Sequence, residues 1–322
     1  MVKVAAPEDP TIAAMWRERE EAQRSNHRPQ LDGAMLGRPC ARQIFYAFRW
    51  VLDVQHDGRT LALQDQVEAR KDAAAKDLTE VGVTVLDIDP DTGERLRVAM
   101  LGGHVGGALD GMVQGLLHAP KRWALLDFHL HGDKSFRDLK KRGVAEAKPE
   151  HFAKMQFLMR RSRFGLGQKL DRAYYLAENR NDGERWAEWV YYDADLAERL
   201  EEKAEYLVGT ERPPARISVE SDWFECRLCD WQGVCHGGAL PQRNCRTCAH
   251  VTADPSDGTW RCALGANEPI PLAYQRTGCT AHRYHPHLIE GEPIAHDPDT
   301  GRVEYAMKTG ATFVDEGPDG RG

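Results

Sequence analysis

Two neighbouring stretches, GGHVGGALDGM (residues 102–112) and ALLDFHLHGDKSF (124–136), decide how this 322-residue chain is read. In the second, Asp127, His129 and His131 alternate with Leu126, Phe128 and Leu130. A period of two marks a strand that carries the three polar side chains on one face. The first stretch predicts a strand at 107–112 holding Asp110, and a turn near Pro120 brings it back beside 123–131. Asp110 then faces Asp127, His129 and His131. Two carboxylates with one or two imidazoles suit a divalent cation, Mn²⁺ more readily than Mg²⁺. The plainer alternative makes the histidines polar filling of a cleft and Asp110 a turn residue before Gly111.

The flanking sequence supplies helices. Thr11–Gln23 is amphipathic with Asp9 or Thr11 as its cap, and 62–80 is charged and helical. Val81–Ile88 and Leu96–Leu101 flank the turn Asp89–Gly93, a hairpin signal. Asp133 caps a helix through Lys141, and Pro149 opens another through Arg161. Strands at 173–177 and 187–192 and a periodic helix at 194–208 complete a mixed α/β order without a regular βαβ repeat.

Composition bounds the possibilities. With 41% hydrophobic and 29% charged residues the chain folds rather than staying disordered. No apolar run approaches the roughly 20 residues of a membrane span. MVKVAAPEDP has no leader pattern, so a cytoplasmic location and no membrane partner are expected. The net charge of −7 is unevenly spread: residues 134–172 hold twelve Lys/Arg against four acids, which is +8 and leaves −15 elsewhere. Such a run is commonly a solvated surface. Beside the candidate site it also suits a groove for phosphates, with Lys140, Lys141, Arg142, Arg160 and Arg161 as contacts.

Eight cysteines in a reducing compartment point to metal rather than disulfides. Cys226, Cys229 and Cys235 form one tight group, and Cys40, within LGRPCARQIFYAFRW (36–50), is the unpaired candidate for a fourth ligand. Four thiolates take an iron–sulfur cluster or zinc. Cys245, Cys248, Cys262 and Cys279 form a second set suited to structural zinc, with His282 as the alternative to Cys279. The expected units are an N-terminal helix (1–29), an α/β domain (30–243), a zinc module (244–288), and a hairpin with a flexible tail (289–322). The zinc module could grip DNA or a protein partner.

An upstream cysteine before an Arg/aromatic helix, the two acidic stretches, and then CxxCx5C together resemble the iron–sulfur RecB-type exonucleases of the PD-(D/E)XK superfamily. That group includes AddAB-type helicase-nucleases, CRISPR-adaptation exonucleases and phage nucleases, the phage branch being the most similar. Over residues 30–285 the resemblance implies a PD-(D/E)XK core, a mixed sheet flanked by helices. A [4Fe–4S] cluster on Cys40, Cys226, Cys229 and Cys235 would close that core. It implies Mg²⁺- or Mn²⁺-dependent hydrolysis of DNA ends, with Asp110 as the first acid, Asp127 at the Glu position and Gln156 near the DNA backbone. His129 stands where the family has Lys, and Gln66 where it has a metal-binding His. Lys134 is then the candidate for the missing positive charge. The alternatives are a nuclease-fold DNA-binding or scaffold protein without chemistry, or a regulatory subunit.

Overall fold

The computed structural model describes residues 9–23, 27–165, 167 and 169–317. The extreme N-terminus and the last residues of the expected flexible tail lie outside them. Helices α1 (Pro10–Ala22), α2 (Gly33–Leu36), α3 (Ala41–Phe48) and α4 (Gly58–Glu80) come first. Strands β1 (Thr84–Leu86), β2 (Arg97–Met100), β3 (Val105–Ala108), β4 (Gly111–Gln114) and β5 (Ala124–His131) follow. Then come α5 (Asp133–Ala147), α6 (Pro149–Gly165), β6 (Arg172–Asn179), β7 (Arg185–Tyr191) and α7 (Ala194–Gly209). The remainder is α8 (Phe224–Arg227), α9 (Gln232–Cys235), β8 (Val251–Asp254), β9 (Thr259–Cys262), α10 (Leu272–Gln275), β10 (Gly291–Asp297), β11 (Arg302–Met307) and β12 (Thr312–Asp315). Among the described residues no helix is long and apolar enough to cross a membrane.

The central sheet has the order β1-β4-β5-β6-β7. Only the β5–β6 pair is parallel, so the sheet is mixed. It is covered on both faces. Leu126, Phe128 and Leu176 pack with Ala74 of α4 on one side. Leu125, Ala173 and Tyr175 join α5, α6 and α7 in the larger core on the other. Burial on both faces explains why Leu125, Leu126 and Phe128 of β5 are apolar.

Three local differences from the sequence reading have physical causes. The expected hairpin across Asp89–Gly93 shrinks to a single Ile88–Arg95 bridge, because β1 pairs with β4 and β2 with β3. The strand expected at 107–112 is two strands broken at Leu109–Asp110, which frees the Asp110 side chain to reach across to β5. Helix α5 kinks at Gly143, whose φ of +75° is a left-handed value that glycine tolerates, just after the expected end at Lys141.

The division at residue 243/244 is not a division of the core. Trp231, Val234, Cys248, Val251, Trp260 and Leu288 belong to the same buried cluster as Leu36, Phe48 and Phe157. Asn244 Nδ2 donates to the Trp50 carbonyl at 2.8 Å, and Gln242 N donates to the Val51 carbonyl at 2.8 Å. The second cysteine segment is therefore packed into the α/β body along helix α3. Beyond it, β10–β12 form a three-stranded antiparallel sheet around Tyr284, Tyr305 and Phe313, one strand more than the expected hairpin.

Candidate active site

Asp127 lies on the face of β5 turned towards α6, only 1% exposed. Antiparallel pairing of Gly111 with Leu126 sets Asp110 beside it, and Asp110 Oδ2 accepts the Phe128 N–H at 3.0 Å. The two carboxylates meet at one cation. Lys154 Nζ, from α6, lies 2.6 Å from Asp127 Oδ1 and 3.6 Å from Asp110 Oδ2. Lys71 Nζ, from α4, stands 3.5 Å from Asp110 Oδ1 on the other side. Burial opposes ionisation of Asp127, but Lys154 and His129 outweigh it and hold its carboxyl far below the usual range. Burial likewise opposes the Lys154 ammonium, and Asp127, Asp110 and Asp32 outweigh it to raise its pKa.

His129 Nε2 stands 2.9 Å from Asp127 Oδ2, and its ring stacks on His151 at 3.7 Å between centroids. His131 does not turn to Asp110. Its Nδ1 meets Ser135 Oγ at 3.1 Å and its Nε2 meets the Tyr175 hydroxyl at 2.9 Å. That hydroxyl also meets His151 Nδ1 at 2.9 Å, and Lys148 Nζ donates to Ser135 Oγ at 2.7 Å. A continuous polar chain thus runs from Lys148 to the imidazole stack against Asp127. Burial, then the His129 ring, pushes His151 down to about 2 and His131 to about 4, so both are neutral near pH 7.

The site opens into a cavity of about 450 Å³ lined by Arg28, Asp32, Arg97, His129, His151 and Lys154, among others. Its α6 wall follows from helical spacing: Glu150, His151, Lys154 and Leu158 recur at three and four residues and share one face.

Several expected site residues fall elsewhere. Gln156 is wholly buried: its Nε2 donates to the Tyr191 carbonyl at 3.0 Å and its Oε1 accepts the Asp193 N–H at 2.8 Å, so it braces α7 rather than facing a groove. Lys134 is exposed and outside the cavity lining, and Lys154 is the lysine that stands against both carboxylates. Gln66 is exposed, and Lys71 is the α4 residue that reaches Asp110. In the basic stretch Lys140 pairs with Glu184 at 2.5 Å and Arg142 with Asp138 at 3.2 Å. Arg160 and Arg161 share Glu201 at 2.5 and 3.2 Å, while Lys141 is exposed.

The cysteines gather in two places. Cys40, at the N-cap of α3, lines a cavity of about 240 Å³ with Cys226, Cys229 and Cys235. Burial, with Cys40 and Cys235 adding to it, pushes the Cys229 thiol up against the lowering effect of the Trp231 N–H. Cys245, Cys248, Cys262 and Cys279 line another cavity of about 270 Å³. Burial, then the other three thiols, pushes Cys245 up to about 11. All eight cysteines are free thiols. Among the described residues no three His, Cys, Asp or Glu side chains are already gathered into a metal cage.

No family model matches the chain, and no curated protein matches it. Among solved structures it is similar to LHK-Exo in complex with dAMP, with a TM-score of 0.37 and 13% identity over 59% of this chain and 90% of that one. A second structure of that protein, an alkaline exonuclease from Laribacter hongkongensis, gives 0.35 and 13% over 61% and 90%. The structure of SSO0001 gives 0.36 and 10% over 70% and 96%. At these scores the likeness assigns neither activity nor substrate to this chain.

Proposed function

We propose that this chain is a metal-dependent deoxyribonuclease of the PD-(D/E)XK kind that hydrolyses phosphodiester bonds at DNA ends. The observation that carries the proposal is the Lys154 ammonium held against both Asp110 and Asp127 at the edge of an open cavity. The family pattern needs two acids and a lysine at one point. Here the lysine comes from α6 instead of from the position of His129 on β5.

The donor set fits a divalent cation. Asp110, in the break between β3 and β4, and Asp127, on β5, reach the same cation, so they would hold Mg²⁺ or Mn²⁺. Such an ion supplies a polarised phosphate and an activated water. Lys154 then steadies the negative charge developing on the phosphate. His129, hydrogen-bonded to Asp127, orients that carboxylate. Arg28 and Arg97 on the cavity wall are placed for phosphate oxygens of the strand, with the basic stretch as an outer contact surface.

The thiol set on Cys40, Cys226, Cys229 and Cys235 fits a [4Fe–4S] cluster, since the four line one cavity that joins the start of α3 to the 226–235 segment. Bound there, the cluster would staple two distant parts of the chain.

The test is end-labelled single- and double-stranded DNA with Mg²⁺ or Mn²⁺. Wild type should release nucleotides, and Asp127→Asn or Lys154→Met should lower the rate by roughly 100-fold or more. One observation favours a second reading, a DNA-binding subunit without chemistry: His129 replaces the lysine, and Lys154 already neutralises both carboxylates. DNA bound tightly yet left intact with every divalent cation would establish that reading and sink the first.

A further inference from the structure

The second cysteine segment lies outside the catalytic cavity, yet it holds two of the cavity's walls. Arg246 sits between Cys245 and Cys248 in sequence, but its side chain runs into the body of the protein and is 2% exposed. Its guanidinium lies 3.6 Å from the Trp50 ring centroid and 4.7 Å from that of Trp260. Its N–H groups donate to the carbonyls of Phe48 at 3.0 Å and Pro29 at 3.1 Å, and to Gln275 Oε1 at 3.0 Å. Trp50 Nε1 donates to the neighbouring Arg28 carbonyl at 2.8 Å. Residues 28–32, which carry the cavity residues Arg28 and Asp32, are thereby tied to the first knuckle.

The turn between β8 and β9 holds the other wall. Gly102 and Gly258 approach so closely that a Cβ on Gly102 would fall 2.0 Å from the Gly258 nitrogen. His104 Nε2 meets the Asp254 carbonyl at 3.1 Å. From there Leu31 N donates to the His104 carbonyl at 2.9 Å and Gly106 N to the Leu31 carbonyl at 2.8 Å. The two walls are thus bonded to each other and to β3, two residues before Asp110.

The segments that carry the four cysteines are held by local contacts. Asn244 caps the turn at 245–247 reciprocally with Thr247. Val251 pairs with Cys262 across β8 and β9, which brings Cys262 to the first knuckle. His282 is spoken for: its Nε2 meets Thr247 Oγ1 at 3.3 Å and its Nδ1 meets Arg243 at 3.4 Å. That leaves Cys279 to complete the set. Four thiolates suit Zn²⁺, and these four cysteines line one cavity.

We propose that Cys245, Cys248, Cys262 and Cys279 bind one zinc ion, and that this ion, through Arg246 and the 254–258 turn, fixes residues 28–32 and 101–108 around the catalytic cavity. The zinc site stands independently of any nuclease activity; only the word catalytic rests on the proposed function.

The test uses the full chain and no DNA. Metal analysis combined with amide hydrogen exchange should show one zinc per wild-type chain and slow exchange in both walls. Cys279→Ser, chosen because Cys279 is exposed, should lose that zinc and speed exchange in 28–32 and 101–108 by roughly tenfold or more, while β6 and β7 stay protected. Arg246→Met should keep the zinc and speed exchange in 28–32. His282→Ala should keep the zinc. Wild-type zinc content in Cys279→Ser, or zinc loss in His282→Ala, overturns the ligand assignment. Unchanged exchange in 28–32 on Arg246→Met, or in both walls on zinc loss, overturns the coupling. A chain that passes all of these and never cuts DNA refutes the proposed function alone.

Discussion

Replacing Lys154 by Met removes the cation on which the site is built and keeps most of the side-chain volume. Asp127 would remain, 1% exposed, with His129 as its nearest polar partner at 2.9 Å. Taking one member from a buried ion pair costs about 3–5 kcal/mol, because the other charge is left without compensation. Asp127 keeps its hydrogen bond to His129, so the low end, about 3 kcal/mol, is expected. For a chain of this size about 2 °C of Tm corresponds to 1 kcal/mol, giving a drop of about 6 °C. The cause is isolated by a double-mutant cycle in urea. Asp127→Asn with Lys154→Met removes both charges, and should be less destabilised than the two single losses added together by about 2 kcal/mol. The vacated place should also accept a divalent cation. Mn²⁺ at about 100 times its Kd would return about 2.7 kcal/mol to Lys154→Met. If the single change costs under about 1 kcal/mol, or the two losses simply add, Lys154 is not the partner of Asp127.

His129→Lys, which restores the residue the resemblance calls for, should lower cleavage rather than raise it, since it adds a second ammonium where Lys154 already meets Asp127 at 2.6 Å; a faster enzyme would refute this. Urea midpoints should fall from pH 6.5 towards pH 4. His104, His131 and His282 are pushed down to about 4 chiefly by burial, so the native state binds fewer protons than the unfolded chain across that window. Asp127 works in the same direction towards the acid end, since its carboxyl stays ionised in the native state while the unfolded one, with an ordinary value of 3.8, begins to bind protons; a midpoint flat with pH would show that these rings are not buried neutral. Cys40→Ser should bleach a brown, iron-containing protein purified without oxygen; a colourless wild type would contradict the cluster. Arg97→Ala should weaken DNA binding and its salt dependence more than Lys140, Lys141 and Arg142 changed to Ala together, because Arg97 lines the cavity while Lys140 and Arg142 already have acidic partners.

The strand period at 124–131 and the helix starts near Asp133 and Pro149 were legible because each is a local signal, although the N-cap is Gly132 and Asp133 is the first helical residue. A period of two and a proline report on the next few residues only. Local signals also misled, as at Asp89–Gly93, where turn chemistry suggested a hairpin but β4 competed for the edge of β1 and won. Lys154 was within reach of the sequence and was passed over. It stands two positions before Gln156 in HFAKMQFLM, and a helix turns those two side chains about 200° apart. Matching the motif selected the residue that faces the core. Asking which face of α6 carries Glu150, His151 and Lys154 would have selected the residue that faces the carboxylates.

The boundary at 243/244 misled for a different reason, since the change in composition there is real but is not a change of fold. Cysteines and glycines mark where thiols can shape the backbone and say nothing of what the residues between them touch. Arg246 shows the gap most clearly. In NCRTC an arginine between two cysteines reads as a solvated knuckle residue, yet it is buried against Trp50 and Trp260. Its guanidinium is satisfied by two backbone carbonyls and one amide, contacts from residues as far away as Pro29 that no local pattern reveals. A chain ending near Gln242 would therefore lose more than a zinc site. It would leave the Phe48 and Pro29 carbonyls without Arg246 and expose one face of Trp50. The core would also lose Val251, Trp260 and Leu288, and each large apolar side chain taken out of a core costs roughly 1.5–3 kcal/mol of burial. Against a typical stability of about 5–15 kcal/mol that loss is enough to unfold the remainder. Such a truncation should fail to accumulate as folded protein, and its recovery with a cooperative melt near that of the full chain would show that the two cysteine segments are separate after all.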